Sequence, residues 1–353
     1  AIQIICFNFV YRIILSKKNK ITYKTSGVDI KKGDALVEFI KPLAKKTSRP
    51  EVKESIGGFS AISSIPSKYK DPLIVSATDG VGTKIEIAEL MNNHSTIGQD
   101  LVAMCVNDLI TCGAEPIFFL DYLVTERINI LKTKEIIKGI AKGCEIANCS
   151  LIGGETAEHP NAFPREKYDL AGFCVGIVEK ENALKTNIPK SGDLLIALKS
   201  SGLHSNGFSL IRELIKRKKI NLKSKIGKKS LGQILLTPTK IYVKEILELQ
   251  KRVNIKNIAH ITGGGLIGNL KRIIPSNLKI NLYGNSLFNF HKNLFLLLQK
   301  AANLSDEDML DTFNCGNGMV IVISKNDLEK VKKSLAKLKL NFKIIGSYSS
   351  CKK

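Results

Sequence analysis

The sequence predicts an α+β protein of two domains. The chain has 353 residues, which favours two domains over one, and 44% of them are hydrophobic, enough to build ordinary buried cores. Strand-like and helix-like segments occur in both halves, but they do not alternate as regularly as a doubly wound sheet requires. The segment 180–192 is polar and separates the halves. We therefore predict an N-terminal domain over residues 21–180, with helices packed on a β-sheet, and a C-terminal α+β domain over residues 181–353.

Residues 1–20 are predicted to be an appendage outside both domains. The segment Ile2–Leu15 is mostly apolar but too short to span a bilayer. A secretory signal carries its positive charge before the apolar stretch, whereas Lys17, Lys18 and Lys20 follow it here. We therefore expect no membrane association and a cytoplasmic location.

The elements of the first half follow from apolar runs and the residues that end them. Leu73–Ala77 is predicted to be a strand that ends at a polar glycine turn. A helix follows, with Ser95 as its N-cap and Gly113 as its stop. The apolar stripe of this helix, at helical spacing, consists of Ile97, Leu101, Cys105 and Leu109. The other elements predicted in this half are the strand Ile117–Val124, the helix Lys132–Ala147, and the strands Ser150–Ile152 and Asp169–Val178.

The second half is predicted to have the same mixed character. Its predicted strands are Asp193–Leu198, Gly318–Ile323 and Phe342–Gly346. Its predicted helices are Asn206–Arg217, Pro238–Arg252, 286–301 and Lys325–Leu338. A glycine turn at residues 263–265 interrupts these elements.

Two neighbouring segments contain the residue types that a nucleotide phosphate and its Mg²⁺ require. Residues 76–84 read SATDGVGTK and residues 106–116 read VNDLITCGAEP. They supply carboxylates as hard metal ligands, and a glycine turn and a lysine that suit phosphate oxygens. Asp100 and Asp108 lie on one face of the predicted helix, where both can point into one cavity. No GxxxxGK[ST] loop occurs, which excludes a Walker-type site.

Pairs of glycines recur where predicted strands end. They are Gly57-Gly58, Gly80 and Gly82, Gly153-Gly154, and Gly263-Gly264-Gly265. One pair is usually only a turn, but four pairs with polar neighbours indicate close approach of the backbone to a ligand. GGGLIG at 263–268 formally matches GxGxxG, yet no acidic residue follows before Ser305, so we do not expect a dinucleotide there.

Two histidines are candidates for acid–base chemistry. His204 lies in SSGLHSNG, between a predicted strand and a predicted helix that Ser205 or Asn206 can cap. His260 directly precedes the triple glycine turn. For each of them the alternative is a packed histidine with a purely structural role. No Ser/His/Asp or Cys/His nucleophile arrangement is present in the sequence pattern.

The net charge of +22 suggests anionic partners, but its distribution weakens that interpretation. The 54 Lys and Arg residues are spread along the chain, and an AT-rich coding bias would also produce a sequence rich in Lys, Ile and Asn. No RRM, KH or helix-turn-helix pattern supports binding of nucleic acid. The eight cysteines show no CxxC or Cys/His metal spacing, so we expect buried thiols in a reducing compartment.

Longer segments extend these motifs along most of the chain. In order they read YKTSGVDI, RPEVKESIGGFSA, SATDGVGTK, IGQDLVAMCVNDLITCGAEPIFFLDY, LIGGETAE, YDLAGFCVG, SGLHSNGFSL, LLTPTKIYV, AHITGGG and FNCGNGM. They resemble phosphoribosylformylglycinamidine cyclo-ligase (AIR synthetase), a family of the PurM-like superfamily. The D-x4-G-A-x-P signature that begins at Asp108 is typical of the superfamily, and VAMCVNDL and GGETAE are typical of the cyclo-ligase.

The resemblance implies an ATP-dependent ring closure in purine biosynthesis. Formylglycinamidine ribonucleotide (FGAM) would become 5-aminoimidazole ribonucleotide (AIR), with release of ADP and phosphate. An amide oxygen is a poor leaving group, so ATP would phosphorylate it before an internal nitrogen attacks. The resemblance also implies a Mg²⁺ requirement and a homodimer, in which the N-terminal domains join their strands into a barrel.

The resemblance assigns roles to individual residues. Those expected to bind ATP are Gly57, Gly58, Phe59, Asp79, Gly80, Gly82, Thr83, Lys84, Asn107, Gly153, Gly154, Glu155 and Thr156. Those expected to bind Mg²⁺ are Asp79, Asp100 and Asp108. Those expected to bind the substrate are Ser205, Asn206, His260, Gly263, Gly264 and Gly265. The expected catalytic residues are Lys84, Asp108 and His204, of which His204 would transfer a proton.

The chain departs from the usual family pattern at three places. Gly268 stands where a glutamate is usual, Asn317 where an aliphatic residue is usual, and His159-Pro160-Asn161 where Met-Pro-Gly is usual. These departures are expected to affect the catalytic efficiency of the enzyme more than its assignment to the family. The alternative enzyme is another ATP-dependent small-molecule phosphotransferase of the same superfamily, and the alternative from another class is a nucleic-acid-binding protein.

Overall fold

The computed structural model describes residues 21–23, 25–184, 189–284, 288 and 290–351. The predicted appendage at residues 1–20 lies outside the described residues. Two large sheets organise the described part, one of four strands and one of five, and helices pack on both. This arrangement confirms the predicted α+β class.

The four-stranded sheet belongs to the N-terminal half and has the order β3-β6-β4-β5. Its strands are β3 Pro72–Gly80, β4 Glu115–Thr125, β5 Ser150–Glu158 and β6 Tyr168–Glu179, while β1 Val52–Glu54 and β2 Ile62–Ser63 form a separate hairpin. The helices of this half are α1 Ile30–Thr47, α2 Lys84–Met91, α3 Ile97–Thr111 and α4 Ile130–Ala147. Only β4 and β5 pair in parallel.

Helices cover one face of this sheet. Along β6 the buried residues alternate with exposed ones, as expected for a strand with one face on a core. Leu170 and Cys174 point to the helices, whereas Phe173 is 44% exposed. Ile74 on β3 and Tyr122 on β4 are exposed on the same side as Phe173. We name this side the open face.

The five-stranded sheet belongs to the C-terminal half and is antiparallel, with the order β10-β12-β7-β13-β11. Its strands are β7 Leu194–Lys199, β10 Ile255–His260, β11 Leu278–Leu282, β12 Asn317–Ile323 and β13 Phe342–Ser350. The short pair β8 Lys225–Ile226 and β9 Lys229–Ser230 lies outside it. The helices are α5 Phe208–Lys216, α6 Leu231–Leu235, α7 Val243–Gln250, α8 Gly265–Lys271, α9 Lys292–Ala302, α10 Asp306–Thr312 and α11 Leu328–Lys337.

The inner strand β12, between β10 and β7, is buried on both faces. Val320 and Val322 join the core cluster that continues into the N-terminal half, whereas Met319 and Ile321 join a second cluster on the opposite face of the sheet. Strands covered on both sides show a continuous apolar run instead of alternation. This explains why the run Gly318–Ile323 was recognisable as a strand.

The predicted strands are all present, but several predicted helix boundaries were wrong. The helix predicted after Ser95 begins at Ile97, and the Ser95 hydroxyl donates to Asn93 Oδ1 instead of capping it. The helix predicted over Pro238–Arg252 is only α7, because Thr239 bonds to a carboxylate of the other domain. The predicted helix 286–301 begins at Lys292, and residues 285–287 and 289 lie outside the described residues.

None of the helices in the described part of the chain combines the length and apolarity needed to cross a membrane.

Candidate functional site

The centre of the candidate site is a hydrogen-bonded pair between the two domains. Asp108, near the end of α3, has its Oδ1 2.8 Å from Nδ1 of His260, the last residue of β10. The Asp108 side chain is 45% exposed, while that of His260 is 2% exposed. The Asp108 carboxylate therefore faces solvent, and the buried imidazole of His260 is hydrogen-bonded to it from the protein interior.

Asp79 lies beside this pair at the end of β3. Its carboxyl accepts a hydrogen bond from the Gly80 amide at 2.8 Å. Burial raises the pKa of Asp79, and the negative charge of Asp108 raises it further, against the opposing effects of the Gly80 amide and His260. Two carboxylates and one imidazole thus share one environment, as the two sequence segments predicted.

Asn107 fixes the position of the pair from inside the protein. Its Nδ2 donates to the Lys240 carbonyl at 2.8 Å, and its Oδ1 accepts from the Tyr242 amide at 3.0 Å. Its Nδ2 also lies 3.5 Å from Nε2 of His260. Asn107 is buried, so it ties α3 to the C-terminal domain and does not face an open ATP site.

Lys84 differs from its predicted role. Its ammonium is fully buried and donates to Asp100 Oδ1 at 2.9 Å, to the His204 carbonyl at 3.0 Å and to the Thr237 carbonyl at 2.8 Å. All three of its donors are therefore used within the protein. Burial lowers its pKa, opposed by the charge of Asp100. In this arrangement Lys84 joins the domains and does not reach a phosphate.

Asp100 also differs from its predicted role as a metal ligand. Its Oδ1 accepts from Lys84, from the Thr239 amide at 2.7 Å and from the Thr239 hydroxyl at 2.6 Å. Ser205, expected to bind substrate, donates to the same oxygen at 3.3 Å. Asp100 and Asp108 do not face one cavity, and the described residues contain no group of three or more His, Cys, Asp or Glu side chains placed to hold a metal ion.

His204 is buried instead of open to a substrate. Its Nε2 accepts from the Ser201 amide at 3.1 Å, and its Nδ1 has no partner among the described residues. Burial holds its pKa well below the ordinary value, and the neighbouring His260 and Lys84 act in the same direction. The residue has a φ of +62°, which shows that the surrounding turn dictates its conformation. A buried neutral imidazole does not fit the predicted proton donor.

The glycine turn before α8 approaches the turn of Asn206. A Cβ at Gly263 would be 3.8 Å from Asn206 Oδ1, and Asn206 Nδ2 has no partner within the described residues. Gly264 and Gly265 have φ values of +86° and +61°. At Gly265 a side chain would overlap the Leu310 carbonyl. These positions require glycine for conformation and space, and they bring the predicted substrate segments together.

The turn before α2 lies at the domain junction. Gly82 has a φ of +65°, a conformation that favours glycine. The Thr83 hydroxyl lies 3.3 Å from the hydroxyl of Ser209 on α5. This turn, which follows Asp79 and Gly80, therefore contacts the C-terminal domain directly.

A cavity of about 610 Å³ brings two other predicted ATP-binding segments together. It lies between α1, the segment 55–61 and the strands β4 and β5, and we name it the loop cavity. Gly57, Gly58 and Phe59 line one side, and Gly153, Gly154, Glu155 and Thr156 line another. Phe59 is fully exposed. A Cβ at Gly57 would lie 3.8 Å from Lys41 Cε, which places a cation of α1 beside the loop.

Asp121 on β4 lines the loop cavity and was missed by the sequence prediction. It is buried, and burial raises its pKa to about 7, with a further contribution from the charge of Glu155. The segment FFLDY contained the signal, because a charged residue inside an apolar strand has to be paired, protonated or functional. Its register places Asp121 in one row with Asp79, Gly172 and Gly154 across four strands.

This row relates the loop cavity to the Asp108–His260 pair. Adjacent strands lie about 4.8 Å apart, so Asp79 and Asp121 are roughly 10 Å apart across β6. Both side chains are on the helix side of the sheet, since Asp79 neighbours Cys105 of α3 and Asp121 neighbours Cys144 of α4. Phe119 and Cys105 fill the space on this side at Gly172, between the two carboxyls, so the row relates the two places by register only.

The fold and the site define a two-domain protein of the PurM-like superfamily. A model of the N-terminal domain of AIR synthase related proteins matches residues 64–178, and a model of the C-terminal domain matches residues 190–352. The two matches together span most of the chain, so the protein belongs to the AIR synthase related family.

Solved structures share this fold at low sequence identity. Thiamine-monophosphate kinase from Stenotrophomonas maltophilia has a TM-score of 0.66 and 19% identity, over 90% of this chain and 94% of that chain. HypE from E. coli has a TM-score of 0.63 and 16% identity, over 89% and 91%. Phosphoribosylformylglycinamidine synthase II from Thermotoga maritima has a TM-score of 0.55 and 12% identity, over 79% of this chain and 41% of that chain. Identities this low indicate a common fold and no more.

Proposed function

We propose that this protein is a cyclo-ligase that uses ATP to convert FGAM into AIR, with release of ADP and phosphate. The formyl amide oxygen is phosphorylated, and the internal amidine nitrogen then displaces the phosphate. The observation that carries this proposal is the outward-facing Asp108, hydrogen-bonded to His260 of the other domain and close to Asp79. The family membership and the segments that resemble AIR synthetase support the choice of substrate.

The residues present fit a Mg²⁺ ion that arrives with ATP. Asp79 and Asp108 are neighbouring carboxylates. A divalent cation would offset both burial, the main cause of the raised pKa of Asp79, and the smaller repulsion by Asp108. Mg²⁺ keeps several waters and takes one or two carboxylates with substrate phosphates, so a larger protein cluster is not needed. When bound, it neutralises charge on the transferring phosphoryl group. Asp100 is left out of this set because its side chain is fully buried and paired with Lys84 through Oδ1.

The proton released on ring closure needs an acceptor at the open end of the site. The leaving phosphate can take up that proton, since Asp108 at this end would hold Mg²⁺ and is fixed by its 2.8 Å hydrogen bond to His260. His260 acts through Asp108 and is a positioning residue in this scheme. Asn206 and the turn 263–265 hold the substrate phosphate or ribose with backbone N–H groups and an amide.

We propose a homodimer that forms through the open face. Ile74, Phe173 and Tyr122 leave an apolar surface on the uncovered side of the sheet. Monomeric proteins rarely expose contiguous apolar patches of this kind. Two copies of the open face would enclose it as a barrel. We also propose a cytoplasmic location, because the cysteines in the described part of the chain are free thiols.

The test is ADP release from ATP and Mg²⁺ with and without FGAM, for the wild type, Asp108→Ala and Asp34→Ala. Asp34 is an exposed residue of α1 and serves as the matched control. We expect substrate-dependent ADP in the wild type and the control, and a loss of at least about 10²-fold in Asp108→Ala. Full activity of Asp108→Ala would contradict the assigned site.

The second candidate is another phosphotransferase of the superfamily. The structural likeness to thiamine-monophosphate kinase and HypE favours it. Thiamine monophosphate, offered in the same assay, separates the two functions. ADP release that depends on thiamine monophosphate and not on FGAM would replace the cyclo-ligase proposal with a kinase.

A further inference from the structure

The loop cavity has the composition of a site for a flat, partly apolar ring. Leu36, Val37 and Ile40 of α1 and Ile152 of β5 form apolar walls. Small-molecule sites typically combine such walls with a few placed polar groups that fix orientation. The ionisable lining residues are Asp121, which is buried, and Glu155, which is exposed. Asp121 is therefore the polar anchor inside the cavity.

The edge strand β5 leaves Asp121 on the neighbouring strand β4 accessible from the cavity. Gly153 and Gly154 carry no side chains, so the cavity extends past β5 to Leu120 and Asp121 on the next strand. A methyl group at Gly154 would overlap Asp121 Oδ1. Gly154 thus provides the space that the Asp121 carboxyl occupies, and the two residues form one local arrangement.

The Asp121 carboxyl is available to a ligand. In the described part of the chain it bonds only to its own backbone amide, and 9% of the residue is exposed. The groups that face it are Glu155 from β5 and the Cys144 thiol from α4. Burial raises the pKa of Cys144 well above its ordinary value, so the thiol is neutral. No described cation neutralises Asp121, and the buried acid is the stable form near neutral pH.

We propose that Asp121 reads the adenine ring of the bound nucleotide as a neutral carboxylic acid. Its O–H donates to ring nitrogen N1, and its carbonyl oxygen accepts from the 6-amino group. The glycine loop of residues 57–58, with Lys41 beside it, then lies on the phosphate side. The assignment rests on the proposed use of ATP and names the residue that selects the base.

Ionisation of Asp121 reverses this selection. A carboxylate offers two acceptors and no donor, so it cannot bond to adenine N1. It can accept from the N1–H of hypoxanthine, whose 6-oxo group replaces the amino group. Burial raises the pKa of Asp121 to about 7. The acid form, which suits adenine, is therefore present below that pH, and the carboxylate, which suits hypoxanthine, is present above it.

The test compares the binding of ATP and inosine triphosphate to the full chain at about pH 6 and about pH 8. The two nucleotides carry the same triphosphate and Mg²⁺, so titration of the phosphates and of Asp79 cancels in the ratio of their affinities. We expect the ratio of ATP to inosine triphosphate affinity to fall roughly tenfold between the two pH values, because one buried hydrogen bond is lost and its partner is left unpaired.

Asp121→Asn is the isosteric variant for this test. An amide has a donor and an acceptor at every pH, so we expect its affinity ratio to be constant between the two pH values. Asp34→Asn, which changes an exposed aspartate outside the cavity, should show the wild-type change. Gly154→Ala should weaken ATP binding, since its methyl group displaces the Asp121 carboxyl.

Three results would overturn the assignment. A wild-type ratio that is the same at both pH values, with ATP bound and FGAM turned over, would show that Asp121 does not read the base while leaving the cyclo-ligase proposal intact. A ratio that rises with pH would show that the carboxylate serves another ligand, such as a cation. Failure of the wild type to bind either nucleotide would reject the proposed ATP use itself, and with it this assignment.

Discussion

At the residue scale, the ion pair of Lys84 and Asp100 dominates the junction between the domains. Both side chains are fully buried. Taking two charges out of water costs more free energy than their attraction returns unless other hydrogen bonds complete the pair. The carbonyls of His204 and Thr237 complete the ammonium, and Thr239 adds two donors to Asp100 Oδ1, while Oδ2 has no partner among the described residues. The pair therefore fixes how the two domains meet.

Breaking this pair should destabilise the protein strongly. We expect Lys84→Met to lower the free energy of unfolding by roughly 3–5 kcal/mol, because it leaves the Asp100 carboxylate buried without its counter-ion. Denaturant unfolding of the apo protein measures this loss. Lys142→Met is the matched control, since Lys142 pairs with Glu145 on the surface. Its cost should be below about 1 kcal/mol.

The double variant Lys84→Met with Asp100→Leu tests the cause of that loss. Removing both charges leaves no uncompensated ion, so much of the stability should return. A single variant no less stable than Lys142→Met would show that the pair contributes nothing to the junction.

Sequence reasoning located residues at this scale where a turn carried the signal. Asp79, Asp108 and the glycine pairs follow strands or end a helix, and motif and spacing identified them. The spacing of Asp100 and Asp108 on one helix could not show that they would bond to different residues of the C-terminal domain. Lys84 was predicted to bind phosphate because the local sequence does not show that the carbonyls of His204 and Thr237 would accept its hydrogen bonds. Hydrogen-bond partners that are distant in the sequence determine what Lys84 and Asp100 do.

At the scale of elements, α3 is the helix on which the site depends, since it carries Asp100, Asn107 and Asp108. Its position is set by close packing on α4. A Cβ at Gly98 of α3 would overlap the backbone of Ile136 and Ile140 on α4. Two helix backbones can approach this closely only when a glycine lies at the contact.

Gly98→Ala should therefore push α3 away from α4. We expect a loss of about 1–3 kcal/mol in the free energy of unfolding, as for overpacked cores, together with weaker substrate-dependent ADP release. Gly33→Ala in α1 is the matched control, because no atom lies within 4 Å of a Cβ there. It should raise stability by roughly 0.4–1 kcal/mol through the lower entropy of the unfolded chain. Equal stabilities of the two variants would contradict the packing argument.

Apolar runs predicted β7 and β12, which are continuous buried segments, whereas β10 was not predicted although it is also fully buried. Five helices of the described residues were not predicted: α1, α2, α6, α8 and α10. The first two show why. Helix α1 contains Pro42 and many lysines, which obscure its apolar stripe. Helix α2 follows the glycine turn directly, and the residues of its start were interpreted as ligand loop. Both helices become stable through tertiary packing, which local patterns do not record.

At the scale of the whole molecule, the two halves share one core. Ile87 and Leu101 of the N-terminal half belong to the same buried cluster as Phe208 and Ile211 of the C-terminal half. A continuous core and the buried ion pair oppose independent movement of the halves. The open face is the apolar surface that this internal packing leaves uncovered. The sequences of β3, β4 and β6 are apolar on both sides, so they could not show which side the helices would cover.

The open face predicts the oligomeric state. We expect the wild type to be a dimer by light scattering after size-exclusion chromatography, and Phe173→Asp to be a monomer, because a buried unpaired carboxylate at the interface is costly. Leu296→Asp on α9 is the matched control, since Leu296 and Phe173 are each 44% exposed. It should remain a dimer. If both variants dimerise, the interface lies elsewhere. If both dissociate, the added charge alone explains the loss of the dimer. Dissociation of Phe173→Asp only would assign the contact to this sheet.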